Sequence, residues 1–367
     1  MKVLIVGAGI AGLAMARALE MNGIANVVVE RQKSSPVTGK SIFLLGNAMR
    51  AMSDLGLAEE ILQIAYPVAS QTIMSSTGRI LNKVSTREFW DGCGPCVSLL
   101  RKELLATLQN SLRISETRFG ATVTHTMVRD GKREVMFSDG HTEEFDLVIG
   151  ADGVNSSLRA EVFKTVSPIG LGLTASRLVT DLSHGLEGWT AMLTRGRSLL
   201  AIPLGPDRLY LYADSPTSDF RGGTVAELKN LFSEFGSPLG RVIDAIPPET
   251  SLHTDELREV PAGKYLAERL VLIGDAAHAT SPSMAQGAGL ALEDAVVLAR
   301  RLKGEPQLGV ALELFHLDRE KRVSWVRKQC HVRDRMRTSS DLISHLLLST
   351  VGSVLYSRAY RPLLPPL

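Results

Sequence analysis

KVLIVGAGIAGLAMARALEMNG, residues 2–23, decides the fold of this chain. Val3 to Val6 are β-branched or aliphatic without interruption, the composition of a strand buried on both faces. A turn of small residues follows, then a helical run that stops at Gly23, and ANVVVER (25–31) predicts a second strand. Gly7, Gly9 and Gly12 satisfy G-x-G-x-x-G between strand and helix, and Glu30 ends the second strand about 20 residues on. Gly7 permits the turn, Gly9 lets a pyrophosphate approach the backbone, and Gly12 lets helix and strand pack closely. The helix N-terminus offers unpaired N–H groups and the positive end of its dipole to phosphates, and the Glu30 carboxylate can accept both ribose hydroxyls. Ala11 in the turn and Arg31 after the second strand are further cofactor candidates. The pattern predicts a dinucleotide site and leaves FAD and NAD undistinguished.

Two later stretches separate them. FDLVIGADGVNSSLR (145–159) is a buried strand running into Gly150, Asp152 and Gly153. RLVLIGDAAHATSPSMAQGAGLALEDAVVLARRL (269–302) is another, running into Gly274 and Asp275 and followed by a loop and a long helix. Ligands of open parallel sheets sit beyond the carboxyl ends of the strands, so three strands present glycine and acid at one edge. NAD needs no such distant Asp; a linear ribityl chain offers it hydroxyls.

With these motifs in order, the chain resembles the single-component FAD-dependent aromatic hydroxylases, the para-hydroxybenzoate hydroxylase-like class of flavoprotein monooxygenases. The resemblance rests on GAGIAGL (7–13), VER (29–31), GNAMRAMSDLGL (46–57), LLRKELLATL (99–108), GADGVNSSLR (150–159), GDAAHATSPSMAQGAGLALEDA (274–295) and HLDREKR (316–322). It implies non-covalent FAD, with Glu30 at the adenosine ribose, Arg101 at the phosphate or ribose region, Val123 at the adenine edge and Asp275 on the ribityl chain. It also places Pro282, Gly287, Ala288 and Gly289 along the isoalloxazine ring. NADPH or NADH would dock transiently and reduce the flavin, and O2 would give a flavin C4a-hydroperoxide that hydroxylates or epoxidises a small, aromatic or polyketide-like substrate. Two departures stand out: Ala285 occupies a loop position where the family often has Gly, narrowing the passage past the flavin, and Lys40 stands for the usual basic residue of the second glycine segment. The helix near Gly287 should aim its positive end at the flavin pyrimidine and favour an anionic reduced ring. His278 reads as a loop-stiffening hydrogen-bond donor to neighbouring backbone rather than a general base.

FWDGCGPCVSLL (89–100) carries the C-G-P-C of dithiol oxidoreductases. The residues after Cys96 read as strand, with helical spacing only from about Arg101, and a second nucleotide fold is missing. The stretch reads as a Gly94-Pro95 turn flanked by thiols.

The fold class expected is α/β: a Rossmann-like FAD-binding domain with an inserted, largely antiparallel β-sheet substrate domain and C-terminal helices. The flavin domain takes residues 1–66, 99–164 and 261–330, the substrate domain 67–98 and 165–260, and a helical segment 331–367. In DRLYLYAD (207–214) strand alternation sets Tyr210 and Tyr212 on one face and Leu209, Leu211 and Ala213 on the other. Either face could roof the flavin; tyrosines there could hydrogen-bond and stack on a substrate, and otherwise they face outward beneath a helix.

Charge is nearly balanced, 41 Lys and Arg against 39 Asp and Glu, which argues against a nucleic-acid partner. The basic run DREKRVSWVRKQCHVRDRMR (318–337) reads as a solvated helix face, its apolar Val323, Val326 and Cys330 recurring at helical spacing. Three cysteines indicate a reducing, cytoplasmic setting, and neither a zinc pattern nor an apolar run of ~20 residues occurs, so no metal and no integral membrane segment are expected. Glycines at 7, 9 and 12 would break the apolar helix a signal peptide needs, so the N-terminal stretch is expected to be mature structure. DLISHLLLSTVGSVLYSRAY (341–360) is apolar enough to pack on the core, a partner or a membrane surface, and core packing is the expectation. Oligomeric state is left open. A same-fold flavin dehydrogenase or reductase, and a non-catalytic flavin-bound redox sensor, are the alternative functions.

Overall fold

The computed structural model describes residues 1–34, 40–164, 167–220 and 223–367. The expected domain boundary at 164/165 touches residues outside that set.

The strand Lys2–Val6 lies at the centre of a six-stranded sheet, ordered Leu266–Ala267, Leu270–Leu272, Leu147–Gly150, Lys2–Val6, Ala25–Glu30, Glu116–Phe119. All neighbours are parallel except the short Leu266–Ala267 edge. Uninterrupted aliphatic strands fit this position because helices and a second layer cover both faces. Register does the important work: Val6 pairs with Gly150, and Gly150 with Leu272, so three strands end level. The turns carrying Gly7, Asp152 and Asp275 therefore emerge along one edge.

The second large sheet has seven strands, ordered His253–Glu259, Ile169–Asp181, Arg208–Pro216, Arg197–Gly205, Trp189–Thr194, Ser70–Ser75, Ile80–Ser85. It is antiparallel apart from the parallel pair Trp189–Thr194 and Ser70–Ser75. A small sheet of Ser41–Leu44, Val97–Leu100 and Tyr66–Pro67 joins the two.

The alternation in DRLYLYAD sorts two cores. Leu209, Leu211 and Ala213 belong to a cluster with Val225, Leu228, Leu239 and Val242 of two short helices, while Tyr210 and Tyr212 join Phe43, Leu45, Met284 and Leu290 of the flavin domain. The tyrosine face thus looks toward the flavin domain, and the outward-facing alternative does not occur.

Three helices complete the chain: the flavin helix Gly287–Gly304, the long helix Leu308–Thr338 and the last helix Asp341–Tyr360. The long helix passes through 330/331 without a break. The basic run on it differs from the solvated face expected: Arg319 is buried and Arg322, Arg333 and Arg337 reach inward to partners. The last helix also differs from expectation, since Leu348, Gly352, Tyr356, Ala359 and Tyr360 pack inward while its other side stays exposed.

Candidate active site

The glycine turn is held from behind and open in front. Gly7 has φ +108°, and a Cβ there would stand 2.4 Å from the Ala151 carbonyl oxygen. A Cβ on Gly12 would meet the Gly7 carbonyl oxygen, whereas one on Gly9 would meet nothing within 4 Å. Gly9 is the N-cap of the helix Ile10–Met21 and no side chain caps that end, so its N–H groups face open space. Ala11 is buried and packs toward Gly274, locking the turn to the third strand end. The Glu30 carboxylate accepts from the Ala8 and Gln32 amides, each at 2.9 Å, which fixes its aim while leaving lone pairs for a ribose. Arg31 is exposed just beyond it. The Gly120–Val123 segment runs alongside, with the Ala121 N–H donating to the Glu30 carbonyl at 3.0 Å, and Val123 is buried.

Further along the edge, Asp275, Pro282 and Gly287 are exposed between buried neighbours Gly274, Ala276, Ser281 and Gln286. They form an open strip lined by small groups. A Cβ on Gly287 would lie 3.8 Å from Asp275 Oδ1, so this carboxylate sits at the N-terminus of the flavin helix. Protein crowding around Asp275 raises its carboxyl above the ordinary range, with His278 and Arg101 opposing the rise. Ala288 is half-buried, and Gly289 is buried against Asn47 and Gln286. Ala285 adopts φ +50°, a left-handed conformation that glycine takes more readily.

Arg101 follows the strand Val97–Leu100, its N–H bonded to the Lys40 carbonyl at 2.9 Å. Burial lowers its guanidinium pKa and Asp275 counters that; among the described residues its side chain makes no hydrogen bond, so it is available to an anion. Lys40 is turned to Asp255 at 3.3 Å, in a surface cluster with Arg177 and His253. Asp152 Oδ2 accepts from Ser157 N at 2.8 Å and Leu158 N at 3.3 Å at the start of the helix Ser157–Phe163, while its Oδ1 is buried with no partner among the described residues.

Beneath the strip lies a buried polar network that sequence reasoning missed. Arg319 donates to Asp294 at 2.8 Å and Glu293 at 2.9 Å, Arg322 reaches Glu293 at 2.7 Å, and Asn47 bonds both Glu293 and Gln286 at 2.9 Å. Asp294 also accepts from the Gly274 amide at 2.8 Å and from His278 Nε2 at 2.6 Å. His278 therefore stiffens the loop through a carboxylate, not through backbone. Burial alone would raise the Asp294 carboxyl; His278 and Arg319 bring it down to about 2. The motifs GNAMRAM, ALEDA and HLDREKR are three sides of this one network.

A second missed group holds the loop at Pro282 from the other side. Asp334 accepts from Ser281 Oγ at 3.0 Å and from Ser283 Oγ, Arg333 donates to the Ser283 carbonyl at 2.7 Å, and Tyr360 OH donates to the Met284 carbonyl at 3.3 Å. Both C-terminal helices thereby fix the loop that borders the strip.

Over the strip stands the tyrosine face. Tyr210 and Tyr212 are buried, and burial pushes the Tyr210 phenol up to about 12 and the Tyr212 phenol well above the usual value. Both are neutral donors at physiological pH. The Tyr212 hydroxyl makes no well-formed hydrogen bond among the described residues although the buried Asp214 carboxylate stands next to it, and Arg177 lies over its ring at 5.3 Å.

The C-G-P-C stretch is a turn followed by the strand Val97–Leu100, with no helix starting at either thiol. Gly94 packs backbone to backbone on Gly46, and burial raises both thiols, Cys96 to about 12. A nucleophilic dithiol needs the opposite shift.

The residues suit FAD. A Cβ-sized vacancy before Gly9, an uncapped helix N-terminus, an unengaged Arg101 and a crowded carboxylate at Asp275 match pyrophosphate and ribityl groups in order along one edge. Residues 1–177 and 244–307 match the FAD binding domain family. The chain is 33% identical over 347 residues to 2-heptyl-3-hydroxy-4(1H)-quinolone synthase of Pseudomonas aeruginosa, covering 92% of this chain and 89% of that protein. It is 32% identical to aurachin C monooxygenase/isomerase of Stigmatella aurantiaca, covering 88% and 86%. Klebsiella pneumoniae HpxO complexed with FAD and uric acid superposes with a TM-score of 0.88 at 25% identity, covering 100% of this chain and 97% of that one.

Proposed function

The chain belongs to the FAD-binding-domain flavoprotein monooxygenases of the para-hydroxybenzoate hydroxylase-like class, and from that premise we propose that it hydroxylates a neutral, alkyl-bearing heteroaromatic ring of the 4-quinolone type. It is an FAD-dependent monooxygenase acting on a small organic molecule, with NAD(P)H as the family's reductant. Bound and reduced, FAD supplies the activated oxygen.

One observation carries the substrate class. The tyrosine face meets the flavin domain in a buried cluster with Phe43, Leu45, Ile202, Leu257, Met284 and Leu290, so a substrate received there would meet mostly apolar side chains beside the two phenols. At its margin Arg177 shares the Asp255 carboxylate with Lys40 and His253, at 3.2, 3.3 and 2.6 Å, so that its charge is partly engaged at the surface. An uncharged ring with an apolar chain loses little on leaving water for such walls, while an anion loses a great deal. The name of one relative, a synthase of a heptyl-bearing hydroxyquinolone, supports this reading.

The roles of this chain's residues follow. The turn at Gly9 and the helix N-terminus bind the pyrophosphate, Arg101 neutralises it, and Asp275 accepts ribityl hydroxyls. The N-terminus of the flavin helix would turn the positive end of its dipole toward a bound flavin and favour negative charge there. Tyr210 and Tyr212 orient the substrate's ring oxygen and nitrogen, and the apolar walls exclude water.

The test is a substrate panel scored for accelerated NAD(P)H oxidation and for one oxygen gained from labelled O2. Turnover should be strongest with 2-alkyl-4(1H)-quinolones. Preference for salicylate or urate would overturn the substrate class, and acceleration without oxygen incorporation would overturn hydroxylation.

A further inference from the structure

The tyrosine strand carries a third polar group. Strand alternation places Tyr210, Tyr212 and Asp214 on one face of Arg208–Pro216, and Ser198 stands opposite Asp214 on the neighbouring strand. Asp214 is 1% exposed, and both its oxygens accept from Arg337 Nη2, at 2.7 and 2.6 Å, the arrangement of an ionised carboxylate. Arg337 also donates to Ser198 Oγ at 3.1 Å. It stands one turn beyond Asp334 on the long helix, and Asp334 holds the serines flanking Pro282. A single turn of helix therefore ties this carboxylate to the loop that borders the strip. Next to it is the Tyr212 hydroxyl, buried and without a well-formed hydrogen bond among the described residues. Tyr210 has the opposite neighbour, since Arg177 stands beside its phenol.

We propose that these two charges give the phenols opposite polarities toward the substrate, Asp214 making Tyr212 a hydrogen-bond acceptor and Arg177 making Tyr210 a donor, so that the site selects a ring bearing an N–H or O–H as well as a carbonyl. Both roles presuppose the substrate site at the tyrosine face proposed above. A phenol has one proton to give. When a substrate N–H reaches the Tyr212 oxygen, the polarised hydroxyl becomes a stronger donor, and the acceptor beside it is a carboxylate, whose charge-assisted bond is about twice as strong as one to a neutral oxygen. Substrate, Tyr212, Asp214 and Arg337 then form one chain in which every donor meets an acceptor. At Tyr210 the guanidinium lies on the oxygen side and leaves the phenol proton for a substrate carbonyl. Asp214 is thus a positioning residue, acting through Tyr212. A ring with oxygen in place of the N–H would set two acceptors against each other in a buried site, and a bond left unmade there costs more than a made one contributes.

Ligand binding to the oxidised, FAD-loaded protein, followed by the change in flavin absorption, tests this with two matched pairs. The first is 2-heptyl-4(1H)-quinolone and 2-heptylchromen-4-one, which carries oxygen in place of the ring N–H. The second, 1-naphthol and 1-methoxynaphthalene, contains no quinolone. The parent should bind the donor member of each pair about thirtyfold tighter. Tyr212→Phe should cut that ratio to about threefold, and so should Asp214→Asn, because the amide can donate to the phenol oxygen and release the phenol proton toward the ligand. Added to Tyr212→Phe, Asp214→Asn should change the ratio no further. Should Asp214→Asn alone lose FAD, its combination with Arg337→Gln removes the stranded guanidinium and carries the same expectation. Arg177→Gln should weaken quinolone and chromenone alike, since both keep the carbonyl, and leave their ratio in place. A parent ratio below about threefold overturns the proposal, as does a parental ratio in Tyr212→Phe or in a flavin-loaded Asp214 variant, the result expected if Asp214 only anchors the long helix. Loss of the ratio in Arg177→Gln overturns the division of roles. Discrimination between the naphthalenes without any binding of the quinolone would discard the substrate class and keep the donor rule, and no binding by any of the four would discard both.

Discussion

A methyl group on Gly12 would stand 1.8 Å from the carbonyl oxygen of Gly7. Gly7 follows the central strand and Gly12 lies in the first turn of the helix, and their contact sets how close that helix comes to the strand. Gly9, between them, touches nothing within 4 Å. The same three-glycine motif therefore contains two structural glycines and one that serves the ligand. Gly12→Ala should destabilise the fold by about 3 kcal/mol, as overpacking against immovable backbone does. Gly9→Val should fold with near-parental thermal stability in the absence of cofactor and bind little FAD. Flavin absorbance per chain and apoprotein melting temperature separate the two outcomes.

Asp334 provides the second prediction. It stands on the long helix yet holds both serines flanking Pro282, so it fixes the loop that borders the open strip. Asp334→Ala should retain FAD, lower kcat/KM about tenfold, and raise the hydrogen peroxide released per NAD(P)H, since a loosened loop misplaces the substrate and admits water. Asp334→Asn, which can still accept from one serine, should recover part of the coupling. Parental coupling in the Ala variant would show that the loop holds its shape without this clamp.

The parts of this molecule readable in sequence are those where one stretch of chain dictates its own geometry. Gly7 to Gly12 announce a turn because only glycine tolerates φ +108° or a carbonyl at 1.8 Å. Period-two alternation separated Tyr210 and Tyr212 from Leu209 and Leu211, but which set faced the flavin depended on two helices, Val225–Leu231 and Leu239–Ala245, that cover the leucines. Arg319, Glu293, Asp294 and Asn47 were opaque for a related reason. Each looks like surface residue in its own segment, and only the convergence of three distant segments buries them together. The outward side of the last helix reversed the expectation of core packing, because periodicity marks what is apolar and not what covers it.

The thiols give a third prediction. With burial raising Cys93 and holding Cys96 near 12, roughly one Cys96 thiol in 10⁵ is ionised at pH 7. Iodoacetamide should leave Cys96 unmodified in the folded protein and label it on unfolding. Cys93→Ser with Cys96→Ser should keep NAD(P)H-dependent turnover within about threefold of the parent, at a stability cost of about 1 kcal/mol for a buried hydroxyl. Activity on a disulfide substrate that vanishes in this variant would restore the redox reading.

Acid stability follows from Asp294. Its carboxyl is depressed from 3.8 to about 2 in the folded protein, so the folded state binds the proton less readily than the unfolded chain. The associated stability, about 2 kcal/mol, is fully present above pH 4 and is lost as pH falls through 2. Asp294→Asn should abolish that part of the acid transition. It should also destabilise the protein at neutral pH, because Arg319 and His278 lose their shared counter-charge in the interior. Equilibrium unfolding at pH 7 and pH 3 measures both effects, and an unchanged pH slope in the variant would assign the acid sensitivity to other carboxylates.

Tyr212 carries the prediction closest to the chemistry. Its hydroxyl is buried beside the Asp214 carboxylate, which Arg337 holds, without a well-formed hydrogen bond among the described residues, a placement that costs stability unless something else supplies a bond of good geometry. Tyr212→Phe should therefore leave the substrate-free protein as stable as the parent or slightly more so, with FAD fully bound. A polar atom of the substrate is the natural partner, so the same change should weaken substrate binding about fivefold, equivalent to roughly 1 kcal/mol for one neutral hydrogen bond. Peroxide release should rise with it, because a ring held by one phenol instead of two spends more time out of line with the flavin. Tyr210→Phe should behave differently in the first respect, since its phenol has Arg177 beside it and its removal takes one neighbour from a guanidinium that Asp255 also holds. Thermal melts with and without substrate, together with the ratio of product to NAD(P)H consumed, distinguish these effects. Loss of stability in substrate-free Tyr212→Phe would mean that the hydroxyl serves the fold, and unchanged affinity in both variants would remove the tyrosine face from substrate recognition.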